Sequence, residues 1–187
     1  MKKHIHIFGA SGSGTTTIAK GVSERLGYAH FDSDNYYWAL SDEPYTVVRD
    51  RAERVLLLEN DLLAHEKWVL SGSFADWGNA IIPYLDLVVF VTLPHEERME
   101  RLKKREYERY GDAMLEGGSR YENSQEFLEW AALYDDGGMD IRSLMSHTEW
   151  LKLIECPVLR IVNNVLADSV ETVINAVKTT TTTTTMA

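Results

Sequence analysis

The sequence predicts an α/β fold of three layers built on a parallel sheet. Three observations predict it: short apolar runs alternate with amphipathic helical stretches, one run is apolar on both faces, and a glycine-rich turn joins the first run to the first helix. HIHIF, with Ile5 and Ile7 alternating, reads as a buried strand feeding the turn at Gly9. TTTIAKGVSERLG follows with Ile18, Val22 and Leu26 at helical spacing and Gly27 as C-cap. YAHF reads as a second strand, and DSDNYYWALSDEPY as a polar, aromatic connection. A long helix is predicted from Thr46 to His65, with Val48, Ala52, Val55, Leu56, Leu62 and Leu63 as its apolar stripe. KWVLSGS is a third strand, and LDLVVFVTLP, rich in β-branched residues and ended by Pro94, is a central strand covered on both faces.

Between Arg98 and Glu155 the pattern is helical, interrupted by Gly111, Gly117, Gly118, Gly137 and Gly138. Within it, NSQEFLEWAALY pairs Asn123 with Glu126 at capping distance, and SHTEWLKL does the same with Ser146 and Glu149. Helices bounded by glycines can move as a lid, here placed at about residues 106–150. CPVLRIV is a further strand, and ADSVETVINAVK a last helix with Asp168 as N-cap. Residues 1–178 therefore read as a single domain, and the threonine-rich 179–187 as a disordered tail.

A length of 187 residues, 44% of them hydrophobic, supports a folded core. The net charge of −10 repels polyanions and argues against nucleic acid and anionic membranes as partners. The lone Cys156 excludes an internal disulfide and reads as a buried, inert thiol. The six histidines lack metal spacing, and His147 reads as a helix-start residue. MKKHIHIFGA breaks at Gly9, so no signal peptide is expected, nor any membrane span, and the cytoplasm is the expected location.

GASGSGTTT matches the phosphate-binding pattern GxxxxGK[ST] from Gly9 through Ala10, Ser11, Gly12, Ser13 and Gly14 to Thr16, with Thr17 beyond. It breaks the pattern once, where Thr15 replaces lysine. The glycines let the backbone turn its N–H groups inward, and the following helix aims its positive end at the phosphates. Thr16 holds the hydroxyl position that ligates Mg²⁺. A plain strand-to-helix turn is the alternative. Losing lysine removes an interaction of about 1.5–3 kcal/mol, so catalysis needs another cation. Arg98, Arg101, Arg105 and Arg109 line one helical face and can supply it; interleaved glutamates fit a solvated, salt-bridged helix equally well.

Asp32 and Asp34 fall where the second strand ends, on the same side if the strand continues. One can hold Mg²⁺ through water while the other accepts a proton from a substrate hydroxyl; capping a turn is the plainer role. Tyr36, Tyr37 and Trp38 either wall a pocket or pack under a loop. The third strand ends in serines, Ser71 and Ser73, which raises the weight on Asp32 and Asp34.

This ordered set resembles the superfamily of P-loop nucleoside-monophosphate kinases and shikimate/gluconate kinase-like proteins. The resemblance rests on the N-terminal loop, DSD, SGS, DLVVFVTLP, the arginine-rich RMERLKKRE and the closing strand and helix, across residues 3–178. Segments such as YYW, EPYT, WVLSGS and FLEWA look most like small bacterial proteins described as adenylate kinase-like or AAA-type ATPases. It implies a three-layer P-loop NTPase fold with a helical lid, ATP held by Gly9–Thr17, and Mg²⁺ at Thr16 and Asp32. It further implies Asp34 at the acceptor, Arg101 and Arg105 on the phosphates, Arg49 or Arg51 on an anionic acceptor, and NNVLADS near the adenine. The expectation is a monomeric kinase of a small-molecule acceptor, a nucleoside monophosphate before a hydroxylated metabolite. A nucleotide-binding regulatory protein with little turnover is the alternative class.

Overall fold

The computed structural model describes residues 1–42 and 44–179; the threonine tail read from the sequence lies, from residue 180 on, outside the described residues. Five parallel strands form one sheet in the order β2-β3-β1-β4-β5. They are β1 (His4–Gly9), β2 (Ala29–Asp32), β3 (Trp68–Ser71), β4 (Leu87–Thr92) and β5 (Val158–Val162).

Alternation along the strands decides what each sheet face meets. On one face Ile5, Ile7, Val89 and Val91 pack against α1 (Thr15–Leu26) and α7 (Leu166–Lys178) through Ile18, Val22, Val173 and Val177. On the other, Phe8, Leu70, Val88 and Phe90 meet Leu58 and Leu62 of α3 (Arg51–Leu63) and Trp150 of α6 (Leu144–Leu151). A smaller core joins Leu102 of α4 (His95–Tyr110), Met114 of a 3-10 turn and Leu128 of α5 (Tyr121–Ala132). The loop from 9 to 14, the short α2 (Asp34–Tyr37) and the residues after β3 thereby share the C-terminal edge of the sheet, where open parallel sheets bind ligands.

Several helix boundaries differ from the sequence reading. The helix expected from Thr46 starts at Arg51, because the Asp50 side chain accepts from the N–H groups of Ala52 and Glu53 at 2.9 and 3.2 Å. The preceding residues are extended, Val48 bridging to Trp38 in antiparallel fashion. The buried stripe of α3 is accordingly Leu58 and Leu62 with Val55 beside them, while Val48, Leu56 and Leu63 are exposed. α6 is capped by Ser143, boxed with Ser146, in place of the expected pair Ser146 and Glu149. α5 begins at Tyr121, ahead of Asn123, and Asp168 lies inside α7, whose N-cap is Val165. The strand does not continue from Asp32 to Asp34: Ser33 turns the chain into α2, and the N–H of Asp34 donates to Asp32 Oδ1 at 3.1 Å.

Candidate functional site

The loop after β1 closes on itself before it can hold anything. Ser13 donates through its backbone N–H and its hydroxyl to the carbonyl of Ala10, at 3.1 and 2.7 Å. Gly12 and Gly14 have φ of 82° and 91°, left-handed values that a side chain would strain. Gly14 ends the loop as the uncapped N-cap of α1, so the first-turn N–H groups from Thr15 onward have no partner within the helix. An uncapped helix start preceded by a glycine turn is an anion cradle.

The buried Asn163, just past β5, fixes this cradle. Its amide donates to the Ser13 carbonyl at 2.8 Å and accepts from the Ser169 hydroxyl at 2.9 Å. The Asn163 carbonyl in turn accepts from Arg101 at 3.2 Å. Arg101 therefore lies beside the loop, its guanidinium 3.9 Å from where a Gly14 Cβ would stand.

Around the cradle opens a cleft of about 720 Å³, into which Gly9, Ala10, Ser11, Gly12, Gly14, Thr15, Thr16 and Thr17 face together with Asp32, Asp34, Arg101 and Arg105. Ser13, expected among the nucleotide contacts, is buried and serves the loop's internal bonds. Arg98 departs from the arginine stripe: it is 1% exposed and ion-paired with Asp135. The remaining arginines of α4, Arg101, Arg105 and Arg109, do face the cleft. In a chain of net charge −10, this is a local positive wall.

Thr16 and Ser71 both donate to Asp32 Oδ2, at 2.9 and 2.8 Å. A hydroxyl and a carboxylate in contact beside a phosphate cradle suit Mg²⁺, which takes few protein oxygens and keeps its waters and the phosphates for the rest. Among the described residues no trio of His, Cys, Asp or Glu is placed to hold a metal ion.

Asp34 opens into the cleft yet is walled by protein. Burial pushes its carboxyl above the ordinary value and Asp32 adds to the push, while Arg142, Arg105 and Arg109 oppose it. Burial together with the Arg109 charge lowers Arg105. Beyond Asp34 lie two further cavities of about 620 and 610 Å³. The first runs between Tyr37, Trp38, Tyr45, Phe127 and Trp130, the second between Tyr37, Trp77, Trp130 and Trp150.

Of the two expected anion partners, Arg49 is held within the protein, while Arg51 borders an outer cavity. Arg49 donates to the carbonyls of Tyr36 and Trp38 and pairs with Glu53, and Arg51 donates to the carbonyl of Asp76. Neither lines the cleft around the loop, but Arg51 does line the cavity walled by Trp77 and Trp150, with one guanidinium nitrogen on the Asp76 carbonyl. Two other arginines were missed. Arg142 borders all three cavities, its guanidinium 5.5 Å from the Trp130 ring, and Arg54 stacks 4.4 Å from Tyr37 with its buried Nε lacking a hydrogen-bond partner among the described residues. No local motif marks Arg142, and the cap that it precedes, Ser143, is itself read from the sequence three residues later, at Ser146. Tyr37, expected at the acceptor, lies between the two outer cavities, and Asn163 and Leu166 of NNVLADS border the phosphate cleft. Cys156 is half-buried, with its thiol raised by burial.

A model of the AAA domain family (AAA_18) matches residues 5–128. The chain belongs to this family. Relatives in sequence include the uncharacterized protein YqaC of Bacillus subtilis, 51% identical over 161 residues that cover 86% of this chain and 89% of that protein. A cytidylate kinase of Ignicoccus hospitalis is 30% identical over 148 residues, 74% of this chain and 82% of that one. Among solved structures, a shikimate kinase from Acinetobacter baumannii in complex with shikimate superposes with a TM-score of 0.55 at 16% identity, covering 94% of this chain and 92% of that one. A gluconokinase from Sinorhizobium meliloti gives 0.51 at 17% identity, covering 94% and 91%. At such identities the two structures show the fold alone; together with the family match and the cytidylate kinase relative they support the P-loop kinase-like superfamily that the sequence resemblance implied. Among the described residues no helix is long and apolar enough to cross a membrane.

Proposed function

We propose that this chain is a cytoplasmic, Mg²⁺-dependent phosphotransferase that moves the γ-phosphoryl group of ATP to a small acceptor, a nucleoside monophosphate first among candidates. The observation that carries the reading is the position of Asp34, where the phosphate cleft meets an aromatic-walled cavity, with Arg105, Arg109 and Arg142 acting on its charge. The relative named a cytidylate kinase supports a nucleotide acceptor. So does the pairing of cations with aromatic rings at Arg54 and Arg142, which suits a planar group carrying an anion.

The loop N–H groups orient the triphosphate, and Thr16 with Asp32 would hold the Mg²⁺, which when bound neutralises charge between the phosphates. The acceptor oxygen bonds to the γ-phosphorus as the bond to the bridging oxygen of ADP breaks. Arg101 and Arg105 stabilise the charge on the transferring group, which covers for Thr15. Closure of the segment from about 106 to 150 over the cleft keeps water out.

Asp34 itself favours a second reading. A carboxylate is a base, and a hydroxylated metabolite has a proton for it to accept, whereas a nucleoside monophosphate has none on the attacking oxygen at neutral pH.

The test is ADP release from Mg·ATP, alone and with nucleoside monophosphates, shikimate, gluconate and nucleosides in turn. A phosphorylated product from a monophosphate supports the first reading, and one from a hydroxylated compound the second. ATP binding without stimulation by any acceptor makes the chain a nucleotide-binding regulatory protein.

A further inference from the structure

His147 is 1% exposed, and both of its ring nitrogens are engaged. Nδ1 lies 2.9 Å from the hydroxyl of Tyr134, two residues past α5, and Nε2 lies 3.0 Å from the Ser73 hydroxyl, in the loop after β3. Ser73 borders both the phosphate cleft and the cavity walled by Trp77 and Trp150. One imidazole thus joins the base of the helical segment to the point where phosphate and acceptor cavities meet.

We propose that His147 is a positioning residue that turns the Ser73 hydroxyl hydrogen into the cleft, making Ser73 a hydrogen-bond donor to an oxygen of the phosphoryl acceptor. The inference rests on the phosphotransfer reading above and assigns a residue that reading does not use.

The direction follows from counting protons. A neutral imidazole has one N–H, so the chain of three groups can run only two ways. If Ser73 donates to Nε2, then Nδ1–H donates to Tyr134, and the phenol hydrogen must find another acceptor. Tyr134 is 5% exposed, and its ring faces the Arg98 guanidinium at 5.1 Å; among the described residues its hydroxyl has no second partner. That arrangement leaves a largely buried donor with no acceptor among the described residues, beside a cavity of about 290 Å³ lined mostly by apolar side chains such as Leu93, Pro94, Leu144 and Val162. If Tyr134 donates to Nδ1, then Nε2–H donates to Ser73, and the spare hydrogen belongs to the one group of the three that borders the cleft. Burial and the Arg142 charge lower His147 to about 3, so the ring stays neutral and keeps a single N–H at working pH. Leu144 N–H donates to the Tyr134 carbonyl at 2.7 Å, next to the α6 cap at Ser143, so the chain also passes close to Arg142.

Two measurements on the full chain test this. Long-range ¹H–¹⁵N correlation spectra, with H147Q to assign the ring, should show the Nε2–H tautomer; an Nδ1–H ring overturns the proposal whether or not any acceptor is turned over. Steady-state kinetics with the acceptor that the wild type phosphorylates then reads the hydroxyl. S73A should raise the acceptor KM about tenfold, as loss of a hydrogen bond to a charged group does, with the ATP KM near that of wild type. H147L should do the same, and H147Q, whose amide can donate from near the Nε2 position, should recover most of it. An unchanged acceptor KM in S73A, or an H147Q no better than H147L, overturns it. A wild type inert with every acceptor rejects the phosphotransfer reading instead, a result that the tautomer spectrum does not depend on.

Discussion

Arg49 and Arg101 are the same residue beside the same sheet edge, and they meet opposite fates. Arg49 enters a loop whose carbonyls, at Tyr36 and Trp38, turn toward it, and Glu53 completes its shell one helical turn on. Arg101 stands on a regular helix whose own carbonyls are used internally, so among the described residues its guanidinium takes a single outside bond, to the Asn163 carbonyl, and otherwise faces the cleft. A free cation is a product of its backbone surroundings. Here the loop engages Arg49 fully, whereas α4 leaves Arg101, Arg105 and Arg109 facing the cleft and gives up only Arg98, to Asp135 and the Leu93 carbonyl.

The variants that test this contrast fall in order of expected effect. Asp34→Asn should lower kcat by about 10²–10⁴ for a hydroxylated acceptor, the range for losing a general base, with ATP affinity retained. A loss below tenfold with a nucleoside monophosphate would show that no proton is accepted there. Arg105→Ala should lower kcat by about 10²-fold, with a smaller effect on ATP binding, as expected for a donor that acts on developing charge. Equal losses in kcat and in ATP affinity would place Arg105 on the ground state. Thr15→Lys should tighten ATP binding about tenfold or more by calorimetry, because it restores a charged donor to the cradle. Unchanged affinity would mean that residue 15 does not face the phosphates. Arg49→Ala should leave kcat and both KM values within about twofold and appear instead as a loss of about 1–2 kcal/mol in urea unfolding, since it frees two backbone carbonyls. A collapse of acceptor binding in that variant would break the comparison and return Arg49 to the site.

The same contrast explains what could be read in advance. The loop from Gly9 to Thr17 was legible because its function is a backbone shape, and glycine spacing encodes backbone shape locally. The strands were legible because a period of two, or an unbroken β-branched run, reports burial directly. The start of α3 was not: Val47 and Val48 continue an apolar pattern, and only their pairing with Ala39 and Trp38 across the loop makes them extended. Arg142 and Arg54 were missed for a related reason. Neither belongs to a local motif, and each becomes part of the site when α6 and α3 pack beside Tyr37, Trp77 and Trp130.

By itself, then, the sequence determined the layer order, the phosphate cradle, the carboxylates after β2 and the arginine-bearing helix after β4. Each of these is set by side-chain period or by the conformational freedom of a few neighbouring residues. The tertiary structure alone decided which arginines remain free, which serine borders both cavities, and that His147 is a buried bridge to it where the sequence suggested a helix-start residue. Those outcomes depend on which donors and acceptors from distant segments come within hydrogen-bond reach, and burial makes every such pairing costly to leave unmade.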